Sequence, residues 1–68
     1  MKVKIFLEKE NSQKILEVPK NQTIEYVLKK LKINPQTVIV VKNGEVVTEQ
    51  ETIREKDELK ILSVKLGG

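Results

Sequence analysis

Only one stretch of this chain carries the apolar period of a helix; nearly everything else that is apolar alternates. Ile24, Val27, Leu28 and Leu31 fall at i, i+3, i+4 and i+7, one stripe on a helix of about nine residues. Thr23 stands where an N-cap belongs, and Glu25 lies in the positive first turn. Lys29, Lys30 and Lys32 suit the negative C-terminal end, and Asn34-Pro35 is expected to stop the helix, because the residue before proline is pushed out of the helical region. A single short amphipathic helix needs a sheet to lie on.

The strands for that sheet are legible on both sides of it. Val3, Ile5 and Leu7 alternate with Lys2, Lys4 and Glu8, a period of two with one buried face. Phe6 places an apolar ring on the opposite face. Lys9-Glu10-Asn11-Ser12 reads as a hairpin loop, with residues 14–18 as the returning strand ended by Pro19. Residues 38–41 are the most β-branched stretch and read as a central strand, apolar on both faces. Asn43-Gly44 is the strongest short hairpin signal, returning through Glu45-Val46-Val47. Residues 48–58 are polar and irregular, with Ile53 as the lone apolar plug and room for a short helical turn. Residues 59–64 form the last strand. The order β-β-α-β-β-β predicts an α+β fold, a β-grasp: a mixed sheet with one helix packed on one face, the first and last strands adjacent and parallel at its centre. Residues 1–64 form the domain and 65–68 a flexible C-terminal tail.

Composition narrows the chemistry. The chain has 68 residues, no cysteine and no histidine, so disulfides, thiolate metal sites and the usual general base are excluded, and no metal site is expected. No apolar run approaches membrane-spanning length, and the alternating N-terminus lacks the continuous apolar core of a signal peptide. A cytoplasmic protein without a membrane partner is expected. The net charge is +3, but Arg54 is the only arginine and Phe6 and Tyr26 the only aromatics. Single-stranded nucleic-acid binders rely on stacking surfaces and arginine forks, so the composition argues against nucleic acid. Ser12, Ser63 and the threonines have no histidine to activate them. Glu49, Glu51, Glu55, Asp57 and Glu58 crowd one segment, which reads as a solvated acidic loop. With Gly44, Gly67 and Gly68 as the only glycines, no phosphate-cradling loop exists. The chain is not expected to be an enzyme or to bind a cofactor.

Gly67-Gly68 follows the last strand, and no turn or packed core there calls for glycine. A tip without side chains can enter a narrow slot and present its carboxylate. A carboxylate is a poor electrophile and must be converted to an anhydride to react, typically by attack on ATP, inside a site that encloses it and excludes water. Leu66, Gly67 and Gly68 extended reach roughly 10 Å, which suits delivery into another protein's active site. Once activated, the carboxyl can accept sulfur or be joined to an amine.

The strand order, the stretch Val41-Lys42-Asn43-Gly44-Glu45-Val46-Val47 and the ending Leu66-Gly67-Gly68 together resemble the small ubiquitin-like sulfur carriers. These are the thiamine-biosynthesis sulfur carrier, the small subunit of molybdopterin synthase, the ubiquitin-related modifier and the small archaeal modifiers. The resemblance spans the whole chain, and the length and the stretch from Val41 to Val47 look most like the thiamine-type carrier. It implies that Gly68, with Gly67 beside it, is adenylated by a ubiquitin-activating-like adenylyltransferase using ATP. The carboxyl is then converted to a thiocarboxylate for thiazole, molybdopterin or tRNA thiolation, or conjugated to lysines. A sulfur donor and a sulfur-accepting enzyme are the further partners. Leu66 and Lys65 would present the tail, and with nothing after Gly68 no processing protease is expected. Two features depart from the family pattern: Lys56-Asp57-Glu58 lacks a glycine common before the last strand, and Ser63-Val64-Lys65-Leu66 matches neither the proline-containing approach of the molybdopterin synthase subunit nor the glycine-richer ending of many thiamine-type carriers.

If Leu59 and Ile61 face the helix, then Leu62 and Val64 lie on the outer face or at the strand's end, with Ile39 or Val41 beside them. Apolar residues on the open side of a sheet mark an interaction patch, so Leu62, Val64, Ile39 and Val41 form a candidate docking surface. The alternative reading is a non-covalent β-grasp module that docks on a protein or on RNA through its lysines.

Overall fold

The computed structural model describes residues 1–64. Strand β1 (Lys2–Leu7) turns back into β2 (Ser12–Glu17), followed by α1 (Ile24–Lys30), a 3-10 turn (Pro35–Thr37), β3 (Val38–Lys42), β4 (Glu45–Val47) and β5 (Glu58–Ser63). The five strands lie in the order β2-β1-β5-β3-β4. β1 and β5 are parallel, with Ile5 opposite Leu59 and Leu7 opposite Ile61, and every other pairing is antiparallel. This is the β-grasp arrangement. β3 is interior, between β5 and β4, while β5 occupies the centre.

Strand alternation decides the two faces. Val3, Ile5, Leu7, Val40, Leu59 and Ile61 point to the helix side and are at most 7% exposed. Ile24, Val27 and Leu28 close over them, with Val18 and Ile53 sealing the edges. Ile53 is 1% exposed, so the plug of the irregular connection fills the core. That connection holds single turns closed by Glu51 N–H to Thr48 O and Asp57 N–H to Arg54 O, not a helical segment.

The helix differs from its sequence pattern at both ends. Thr23 occupies the N-cap position but makes no side-chain cap bond. The N–H groups of Ile24 and Glu25 instead donate to the carbonyls of Glu51 and Glu49, 2.9 Å each. The long connection therefore satisfies donors that a helix start leaves open. At the other end, Asn34-Pro35 is not what stops the helix. Lys32 takes a left-handed conformation, φ 59°; its N–H donates to Lys29 O and that of Ile33 to Leu28 O. That pair of bonds is a Schellman closure, which ends α1 after seven residues. Asn34 acts further on, where its side chain accepts from Gln36 N–H and caps the 3-10 turn.

The hairpins follow the turn chemistry. Asn43 (φ 53°) and Gly44 (φ 86°) are both left-handed, the type I′ geometry that joins Lys42 directly to Glu45. The first hairpin is longer, with Leu7 paired to Ser12, so Ser12 belongs to β2 and not to the loop. The family's glycine before the last strand is not needed here. Positive φ among non-glycine residues occurs at Asn11, Asn21, Lys32 and Asn43, none of them in residues 54–58.

Candidate functional site

β5 emerges from the centre of the sheet, and its exit is fixed by one hydrogen bond. Val64 N–H donates to Thr37 O at 2.9 Å, tying the chain just past β5 to the 3-10 turn that enters β3. The proposed reactive and presenting residues, Gly68, Gly67, Leu66 and Lys65, lie outside the described residues. What the structure does place is Val64, the last described residue, held beside the 3-10 turn that leads into β3.

The outer face of the sheet is built by the residues that alternate with the core. Ile39 pairs directly with Leu62, and Val41 lies opposite Lys60. Following the pairings across, Gln13, Phe6, Lys60, Val41 and Val46 form one transverse row spanning all five strands. Ile39 and Leu62 stand in the next row, towards the β5 exit. Ile39 is 39% exposed and Val46 73%, while Phe6, Val41 and Leu62 are half-buried. Val64 lies beyond the end of β5, half-buried. Four sequence candidates are thus near one another, and Phe6, Val46 and Lys60 join their surface. Val46 was legible in principle, because the Asn43-Gly44 turn sets Val46 against Val41. Lys60 is the cation in the middle, its ammonium 5.9 Å from the Phe6 ring centroid, within range of a cation–π attraction.

At the opposite end of the sheet a polar clamp holds the β3–β4 turn. Lys42 Nζ lies 2.8 Å from Glu51 and 3.7 Å from Asp57. Asn43 Nδ2 donates to Asp57 Oδ1 at 2.8 Å, Arg54 N–H donates to Asp57 Oδ2 at 2.8 Å, and Glu58 N–H donates to Asn43 Oδ1 at 2.9 Å. The hydrogen bond to Glu51 raises the pKa of Lys42 against the opposing cost of burial, with the Asp57 and Glu51 charges adding to it. Burial alone would raise the pKa of Asp57, but bonds from Arg54 N–H and Asn43 and the Lys42 charge outweigh it and hold it below the ordinary value. Glu51 and Asp57, read from the sequence as part of a solvated loop, are structural ties.

The architecture and the outer face together define a ubiquitin-like β-grasp domain. Residues 3–68 match the ThiS family, and the chain belongs to that family. It is 39% identical over 56 residues to the sulfur carrier protein TtuB of Thermus thermophilus, a match covering 82% of this chain and 86% of TtuB. Its structure superposes on a ubiquitin-like protein from the archaeon Caldiarchaeum subterraneum with a TM-score of 0.67 at 26% identity, covering 98% of this chain and all of the other. No helix among the described residues is long and apolar enough to cross a membrane.

Proposed function

We propose that the chain is a cytoplasmic sulfur carrier, a protein co-substrate whose Gly68 carboxyl is adenylated and then thiolated. The family match over residues 3–68 carries the reading, since it reaches through the Gly67-Gly68 pair. In the proposed sequence a carboxylate oxygen of Gly68 attacks the α-phosphorus of ATP in a ubiquitin-activating-like adenylyltransferase, and pyrophosphate leaves. Sulfide released by the donor then attacks the carbonyl carbon of the acyl adenylate as hydrosulfide, and AMP and a proton depart, leaving the thiocarboxylate. This chain supplies no acid, base or metal to either step; it supplies a tip that fits an enclosed site. Lys65 and Leu66 present that tip, and the outer face of Ile39, Val41, Leu62 and Val64, extended by Phe6 and Val46, docks on the adenylating enzyme. The thiocarboxylate then passes sulfur to an accepting enzyme of thiazole, molybdopterin or tRNA thiolation, with conjugation to lysines as a second fate.

The test is an intact-mass measurement after incubation with the adenylyltransferase, ATP and a sulfur donor. The expected mass rises by the difference between sulfur and oxygen, localised to Gly68. Removing Gly68 is expected to abolish the gain and leave the thermal melt nearly unchanged, since that residue has little apolar area to bury. A truncated chain that is still adenylated sinks the reading. Binding of protein or RNA indifferent to loss of Gly67 and Gly68 would favour the non-covalent module instead.

A further inference from the structure

On the helix side of the sheet, at the end where β5 exits, lies a cleft of about 430 Å³. Its floor is apolar: Leu7 and Ile61 from the parallel pair, Val38 from β3, and Leu31 and Ile33 from the helix closure. Three lysines, Lys9, Lys14 and Lys32, stand on its lining with a single carboxylate, Glu10. None of the three lysines pairs with a carboxylate among the described residues. Lys32 is held in place by its left-handed backbone and the bond of its N–H to Lys29 O. Thr37 and Ser63 also line the cleft, and Thr37 O is the acceptor that fixes Val64. The cleft and the root of the last four residues are therefore neighbours.

We propose that this cleft is a second docking site, receiving an apolar side chain flanked by carboxylates on the enzyme that adenylates Gly68. The proposal rests on the reading of Gly68 as the reacting residue. Four residues follow Val64, and a fully extended chain of that length spans at most about 14 Å. A catalyst that closes over the Gly68 carboxyl is therefore tethered within about 14 Å of Val64, beside the cleft lining, and the cleft mouth lies within reach of its surface. The apolar floor gains by excluding water under an apolar side chain. The excess of positive charge on the lining selects acidic neighbours for that side chain. Because the cleft faces away from the outer sheet surface, the enzyme would grip the domain from both faces of the sheet around the exit of β5.

The experiment is ATP–pyrophosphate exchange with the host's ubiquitin-activating-like adenylyltransferase, comparing the full chain with a Lys9→Glu, Lys14→Glu double variant. Both lysines are exposed, so the melt should change little. The KM for the carrier is expected to rise by about tenfold or more with kcat within about twofold, and the difference should narrow as salt screens the charges. A control pair, Lys20→Glu with Lys56→Glu, makes the same change in net charge away from the cleft and is expected to leave KM within about twofold. A KM for the cleft variant no higher than that of the control pair overturns the proposal, as does a loss confined to RNA binding. No exchange with the unaltered chain would remove the reading of Gly68 and the cleft proposal with it. Normal exchange with an unchanged KM would remove the cleft alone.

Discussion

On the helix side of the sheet, Val3, Ile5, Leu59 and Ile61 are at most 3% exposed, whereas on the other side Ile39 and Val46 are 39% and 73% exposed. Both sets sit on the same sheet, in alternating positions along its strands, so backbone pairing treats them alike. The inner set is consumed by the fold: the helix, Val18 and Ile53 cover it, with Ile61 also on the lining of the cleft at the β5 exit. The outer set has no covering element within the described residues, yet it is largely β-branched or aromatic and contiguous, where a solvated sheet face is ordinarily polar. Packing beneath the helix accounts for the first face; the second is the docking surface proposed above. Substitutions on the two faces should then separate stability from activation.

The largest effect is expected on the inner face. Ile5 is fully buried between the β2 and β5 pairings, beneath the helix. Ile5→Ala removes most of that side chain and leaves a cavity, which costs about 2–5 kcal/mol in comparable cores. In a 68-residue chain that is a large share of the total stability. Urea unfolding should show the midpoint falling steeply, while the protein still folded at low temperature keeps its KM for adenylation. A loss below about 1 kcal/mol would mean that the inner face is not the tightly packed region it is taken to be.

A middle-sized effect belongs to the polar clamp, which ties β3, β5 and the long connection together at the end away from the β5 exit. Asp57→Asn should cost about 1–3 kcal/mol near neutral pH, because it replaces a charged acceptor of two hydrogen bonds. The sign with pH follows from the direction of the shift. The carboxyl of Asp57 titrates lower in the folded protein than when unfolded, so its contribution is present above the unfolded value of about 4 and is lost as pH falls through the folded one. The wild type and the variant should therefore converge in stability on acidification. A difference that stays constant from neutral pH to strong acid would assign the effect to packing instead of charge.

The contrast between the faces was largely legible in the sequence, and the reason is local. Alternation in β1, the β-branched run of β3 and the Asn43-Gly44 turn are each decided within a few residues, and they fix which side chains share a face. Ile53 was legible for the same reason, as a lone apolar residue in a polar segment. What escaped depends on partners distant in the chain. The helix start takes its acceptors from Glu49 and Glu51, which no pattern around Thr23 announces. Lys32 adopts a left-handed conformation usually given to glycine, held there by the Schellman bonds that close the helix. Lys60 joins the outer face only through its register with Phe6 and Val41, whereas Val46 follows from the Asn43-Gly44 turn. The tail that the sequence singles out most strongly lies outside the described residues, so its reading is one from the sequence and the family.

The smallest effect on stability, and the one that tests the comparison most sharply, is expected on the outer face. Ile39 is partly exposed, and its cross-strand partner Leu62 is half-buried, so Ile39→Ser removes a contact on an open surface without leaving a closed cavity. The expected loss is about 1 kcal/mol or less, several-fold below that of Ile5→Ala. If the outer face docks on the adenylating enzyme, the same substitution should raise the KM of the carrier severalfold while kcat is retained, because the carboxyl chemistry is untouched. Isothermal unfolding and initial-rate adenylation on the same preparation give both numbers. A normal KM with a large loss of stability would place Ile39 with the core and leave the outer face without a function. A raised KM at near-native stability assigns the exposed rows of the sheet to recognition.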